Sequence, residues 1–199
     1  MVQVVTLYLA AVVYSSIRYI VFAPKNLEHL PVFVVNKGVS MGAAFCFALA
    51  FWTQWRGRRS PAPAPMARIW FRAGIFGVFL HIPMSLAILE GSYFPEFFHK
   101  SGRMSFFGEA VFLFGALTAG GIYLLTRQDW NPLHRWQLSL ATMIALFSHT
   151  LFMGISRGLN INASHAYLPP MWLLSLVGIA LGTVYLLLDR QPRPAPESP

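Results

Sequence analysis

With 56% hydrophobic and 15% aromatic side chains among 199 residues, only 11% charged ones, and a mean hydropathy of +0.54, the chain is too apolar for a soluble domain, in which charged residues approach a quarter. Its formal net charge of +8 would point to nucleic acid in a soluble protein. Here the basic residues cluster in short loops between apolar stretches, where they report topology and no nucleic acid is expected as a partner. The single cysteine, Cys46, excludes an internal disulfide or CxxC metal site. Lying in an apolar run, it reads as a small packing residue.

Six apolar runs follow in chain order, at roughly 2–23, 32–54, 69–90, 105–126, 136–156 and 168–188. Each has about the twenty residues needed to cross a hydrocarbon core of ~30 Å. The expected fold is all-α, an integral membrane bundle of about six transmembrane helices over residues 1–190, followed by a disordered proline-rich tail at 191–199, QPRPAPESP. The first run has no basic residue before it and no small-residue cleavage site, so it reads as a retained helix. Pro24, Pro31, Pro132 and the pair Pro169-Pro170 mark run boundaries. Pro83 falls inside the third run and is expected to kink it. The loop GSYFPEFFHKSGR, between runs three and four, mixes aromatic and charged residues as an amphipathic segment lying along a membrane interface would.

Arg56, Arg58, Arg59 and Arg68 lie between runs two and three, Arg127 and Arg135 between four and five, and Arg190 and Arg193 in the tail. With six crossings these fall on one side. Lys25, Lys37, Lys100, Arg103 and Arg157 fall on the other, offset by Glu28, Glu90, Glu96 and Glu109. The positive-inside rule then puts both termini in the cytoplasm, as in a multi-pass protein of the bacterial inner membrane.

His81 and His149 stand inside apolar runs, where an ionisable side chain is costly and takes a partner. His81 is thirteen residues beyond Arg68 and His149 fourteen beyond Arg135, about 20 Å along each helix. Both helices run the same way, so the two imidazoles reach one level in the outer half of the membrane. Two neutral imidazoles from separate helices are what a six-coordinate haem b takes as axial ligands. Gly74 and Gly77, seven and four residues before His81, share its helix face and leave room either for a flat macrocycle or for a close helix neighbour. Thr142 and Ala145 take similar positions before His149. The bland alternative for the histidines is two separate polar residues bonded to backbone carbonyls.

His134, at the inner end of run five, is a candidate for a second haem, or, with Arg135 and Trp136, for an interfacial belt or the edge of an FMN or quinone site. His29, His99 and His165 fall in outer loops and read as solvated. Arg103 and Arg157 are candidate partners for haem propionates, against a reading as interfacial anchors.

ARIWFRAGIFGVFLH, ending at His81, and LHRWQLSLATMIALFSH, ending at His149, resemble the ferric-reductase-like transmembrane domain family, in the style of its small MsrQ (YedZ)-like haem membrane subunits. The resemblance covers most of the chain from run two onward. It implies that His81 and His149 ligate a haem iron, and it matches Leu133-His134 to a further histidine at the start of the fifth helix. The interval from His134 to His149 is longer than in that family, and its second third-helix histidine is missing, which argues against an inner haem. No GxGxxG follows a strand, and no βαβ unit is present.

The expectation is a membrane haem b electron-transfer subunit, an oxidoreductase component. It would carry electrons from a quinol, a bound flavin or a flavoprotein to a redox partner on the outer side. The rival, from another class, is a haem-free accessory or scaffold subunit of a larger membrane complex. A small transporter is disfavoured by the few other ionisable groups in the apolar runs.

Overall fold

A computed structural model of the protein describes residues 1–22, 30–57, 64–127, 130–156 and 168–189. Six helices order these residues: α1 (Val2–Ser16), continued by a π-helical turn over Ile17–Val21, α2 (Leu30–Gly57), α3 (Ala64–Ala87), α4 (Phe106–Arg127), α5 (Pro132–Ile155) and α6 (Met171–Leu188). All six, α1 with its π-helical turn, are long and apolar enough to cross a membrane. Among the described residues there is no strand beyond the isolated bridge Phe98–Met104.

Helices α3 and α5 begin about a turn before their apolar runs. Hydropathy falls where arginine and tryptophan enter, but a helix continues for as long as its backbone bonds and caps are satisfied. At α5 the cap is explicit: the Asn131 side chain accepts from the His134 N–H at 2.9 Å, with Pro132 in the first turn, where its missing donor costs nothing. α3 passes through Pro83 as one continuous helix.

Packing is organised around α2, the most buried of the six. It contacts α1, α3 and α6, while α5 joins α6 to α4. Small residues bring the helices together: a Cβ on Gly38 would stand 2.7 Å from Val12 of α1, and one on Gly154 would stand 2.5 Å from Trp172 of α6. Cys46 is wholly buried in α2, packed with Ala50 and Trp70. At the end of α1, Tyr14 donates to the Pro169 carbonyl at 2.6 Å and buried Arg18 donates to the Leu168 carbonyl. These bonds fasten the end of α1 to the residues leading into α6, and the Leu168 carbonyl gives the buried guanidinium an acceptor.

The segment between α3 and α4 departs from expectation. It does not lie along the surface as an amphipathic strip. Tyr93, Phe94 and Phe97 turn inward and are buried, and Phe94 and Phe97 stack with centroids 5.2 Å apart. A 3₁₀ turn over Pro95–Phe97 and a reversal at Gly102, whose φ is +80°, fold the segment back on itself. Three aromatic rings bury more apolar area against Phe33 of α2 and one another than they would along a flat interface. The segment thus closes one end of the bundle. Beneath it, α3 and α4 barely touch, and a cavity occupies the space between them.

The proposed tail at 191–199, together with Pro24, Lys25, Glu28, His29, Arg58, Arg59, Arg157, His165, Arg190 and Arg193, lies outside the described residues.

Candidate functional site

The cavity has a volume of about 310 Å³ and is walled by α2 to α6, with Phe94, Phe97 and Met104 of the inward-folded segment across one end. That is the size class of small-molecule and cofactor sites. The space comes from small residues: Ala43 and Ala44 on α2, and Gly115, Ala116 and Ala119 on α4. Most of the remaining lining is apolar, with His81, His149, Asn36, Lys37 and several hydroxyl side chains among it.

Both His81 and His149 lie on that wall. The interval from Ala64 to His81 equals that from Pro132 to His149, seventeen residues from the start of each helix, or ~25 Å at 1.5 Å per residue. The level follows from parallel helices of equal length. Asn36, six residues into the antiparallel α2, and Val111, five into α4, start from the opposite end and reach the same height.

Each ring is held through the same nitrogen. His149 Nδ1 lies 2.8 Å from the Val111 carbonyl oxygen. A carbonyl only accepts, so the ring donates Nδ1–H, and in the neutral imidazole Nε2 carries the lone pair. Gly115 makes this approach feasible, since a Cβ there would sit 3.1 Å from His149 Nδ1. His81 Nδ1 lies 2.5 Å from Asn36 Oδ1. An amide oxygen only accepts, and at the other end of the side chain Asn36 Nδ2 donates to Ser85 Oγ at 3.0 Å. His81 therefore also donates from Nδ1 and keeps its lone pair on Nε2, which Ser85 Oγ approaches at 3.3 Å. Two imidazoles on facing helices, each with Nδ1–H on a fixed oxygen, have the tautomer of metal-ligating histidines. Among the described residues there is no group of three or more His, Cys, Asp or Glu able to hold a bare metal ion. The donor set suits a group that brings four of its own ligands, such as a porphyrin.

Lys37 also lines the cavity. Its ammonium lies 4.9 Å from the centroid of Phe94 and 5.4 Å from that of Phe33, distances at which the ring faces stabilise a cation. Lys37 stands seven residues inside α2, not in a loop, and it is the cation this cavity wall presents. Arg103, considered for an anionic partner, is exposed and away from the wall.

The two glycines before His81 serve a neighbouring helix. A Cβ on Gly74 would be 2.9 Å from the Phe47 ring, and one on Gly77 would meet the Tyr8 hydroxyl and stand 2.9 Å from Ala43 Cβ. Their face is filled by protein side chains, and the small residues that open the cavity are on α2 and α4. Thr142 and Ala145 are buried outside the cavity, and Thr142 packs on Gly121 of α4. His134 is exposed in the first turn of α5, with Nδ1 2.9 Å from Asn131 Nδ2, about 22 Å along the helix from His149. Its neighbour Trp136 donates to the Leu186 carbonyl at 3.0 Å and ties α5 to α6. His99 is exposed in the segment between α3 and α4.

Sequence reasoning missed Asn36 and Ser85. The signal was present in the polar cluster Asn36-Lys37, interrupting an apolar run, and in the i, i+4 spacing of His81 and Ser85, which puts both on one helix face. No protein-family model matches the chain, and no curated protein matches it.

Proposed function

We propose that this chain is a multi-pass membrane subunit that holds one haem b between α3 and α5 and carries electrons across part of the membrane. The observation that carries the reading is the pair of imidazoles at one height on a single cavity wall, each with Nδ1 bound to an oxygen acceptor. Arg56, Arg68, Arg127 and Arg135 gather at the other end of the bundle, which makes that end cytoplasmic by the positive-inside rule, with both termini on that side. The cavity then belongs to the outer half of the membrane.

In this reading His81 and His149 would hold the haem through Nε2, and the haem, when bound, would supply reversible one-electron chemistry. The remaining work falls to the protein. Asn36 Oδ1 and the Val111 carbonyl hold the Nδ1 protons and orient the rings. Lys37, on the cavity wall, would offer positive charge to a carboxylate of the bound group. Aliphatic and aromatic walls exclude water and keep the dielectric low, which sets the potential. The donor class is a quinol or a flavin on the cytoplasmic side, free or carried by a flavoprotein. The acceptor is a redox partner on the outer side or a larger complex in the bacterial inner membrane.

The test is a reduced-minus-oxidised absorption spectrum of the purified protein beside His81→Ala and His149→Ala. The reading requires a Soret band that shifts on dithionite reduction in the parent and disappears in both variants. A colourless, well-folded preparation from haem-replete cells would overturn it and favour a haem-free accessory subunit.

A further inference from the structure

Asn36 is 1% exposed, about two turns into the most buried helix. An amide in such surroundings is costly unless its polar atoms are bonded. Both are, and both bonds run to α3: Oδ1 to His81 Nδ1 at 2.5 Å and Nδ2 to Ser85 Oγ at 3.0 Å. Ser85 Oγ also lies 3.2 Å from His81 Nδ1 and 3.4 Å from Asn36 Oδ1, so the three side chains form a closed cluster. One turn of α3 separates His81 from Ser85, which lets one residue of α2 grip both.

We propose that Asn36, fixed by Ser85, is the positioning residue for His81 and sets the electron affinity of the haem that His81 would ligate. This rests on the haem reading above. The two ligands are asymmetric in this respect. His149 donates to a backbone carbonyl, which no substitution alters directly, whereas the acceptor for His81 is a side chain. The stronger that acceptor, the more the Nδ1–H bond is polarised and the more electron density Nε2 delivers. A richer donor favours ferric over ferrous iron and lowers the midpoint potential. An amide oxygen is an acceptor of intermediate strength, so substitution can move the potential down, and removing it loosens the ring.

The experiment uses the full-length protein with Asn36→Asp, Asn36→Ala and Ser85→Ala, read by redox titration of the Soret band and by haem retention during purification. Asn36→Asp should favour the ferric state by about tenfold, a downward shift of ~59 mV for one electron. Asn36→Ala should weaken haem retention by about 10- to 100-fold, the usual cost of losing a partner to a ligating histidine. Ser85→Ala should weaken haem retention in the same sense as Asn36→Ala and by less, because the amide loses its anchor. If Asn36→Asp fails to fold, the two neutral variants decide. A parent that binds haem through His81 and His149, with unchanged potential and retention in every folded variant, overturns this proposal and leaves the haem reading standing. A parent without haem overturns both.

Discussion

The carboxamide oxygen of Asn36 lies 2.5 Å from Nδ1 of His81, a bond between two helices made by residues 45 positions apart in the chain. It makes the orientation of one cavity-wall imidazole depend on a residue of another helix. Side chains around the cavity should therefore divide into those that alter ligand binding and those that alter only the bundle.

Gly115 belongs to the first class. Gly115→Val places its Cβ 3.1 Å from His149 Nδ1 and its methyl groups closer still, driving the ring off the Val111 carbonyl. Overpacking of this kind costs ~1–3 kcal/mol. The expected result is loss of the Soret band with helical circular dichroism retained. Gly120, on the same helix, has nothing within 4 Å of a Cβ. Gly120→Ala should leave the spectrum unchanged and stabilise the helix by about 0.5–1 kcal/mol. Equal spectra for both variants would argue against a ligand at His149.

Lys37→Met removes the cation from the wall while keeping most of the side-chain volume. Affinity for haem should fall about tenfold, equivalent to ~1.4 kcal/mol, near the lower end for hydrogen bonds to charged groups. Haem dimethyl ester, whose carboxylates are masked, should bind parent and variant alike. Reconstitution of stripped protein followed by absorbance titration measures both. An equal loss for the ester would assign Lys37 to packing against Phe33 and Phe94.

Gly77 belongs to the second class. Gly77→Val collides with the Tyr8 hydroxyl and Ala43, and displaces the 2.8 Å bond from Tyr8 to the Ala73 carbonyl. Thermal unfolding in detergent should show a loss of ~1–3 kcal/mol. The haem spectrum of the protein that remains folded should match that of the parent.

His134→Ala should leave the Soret band and its redox response intact, because His134 is exposed and about 22 Å along α5 from His149. Its backbone N–H still reaches Asn131, so the helix cap survives. A lost or halved haem content would place a ligand at the N-terminal end of α5 after all.

The elements that were legible in the sequence are those governed by hydropathy over twenty residues. Each apolar run overlaps a helix, because a long apolar segment leaves its backbone polar groups no other partners and a helix satisfies them within the segment. His81 and His149 stood out because ionisable residues are rare in such runs. Gly74 and Gly77 left two readings open, since a bare helix face accepts Phe47 and Tyr8 as readily as a flat ligand, and sequence spacing does not tell which neighbour arrives. Asn36 was overlooked because its role exists only in the pairing of α2 with α3. The inward turn of Tyr93, Phe94 and Phe97 depends on a partner, Phe33, some sixty residues away, and no local pattern encodes it.

The aromatic segment that closes one end of the cavity is also the strap joining α3 to α4. These two helices have scarcely any direct contact; α3 is held by α2 and α4 by α5. The width of the cavity between them is therefore set by the fold of the strap and by their other neighbours, and not by a seam of their own.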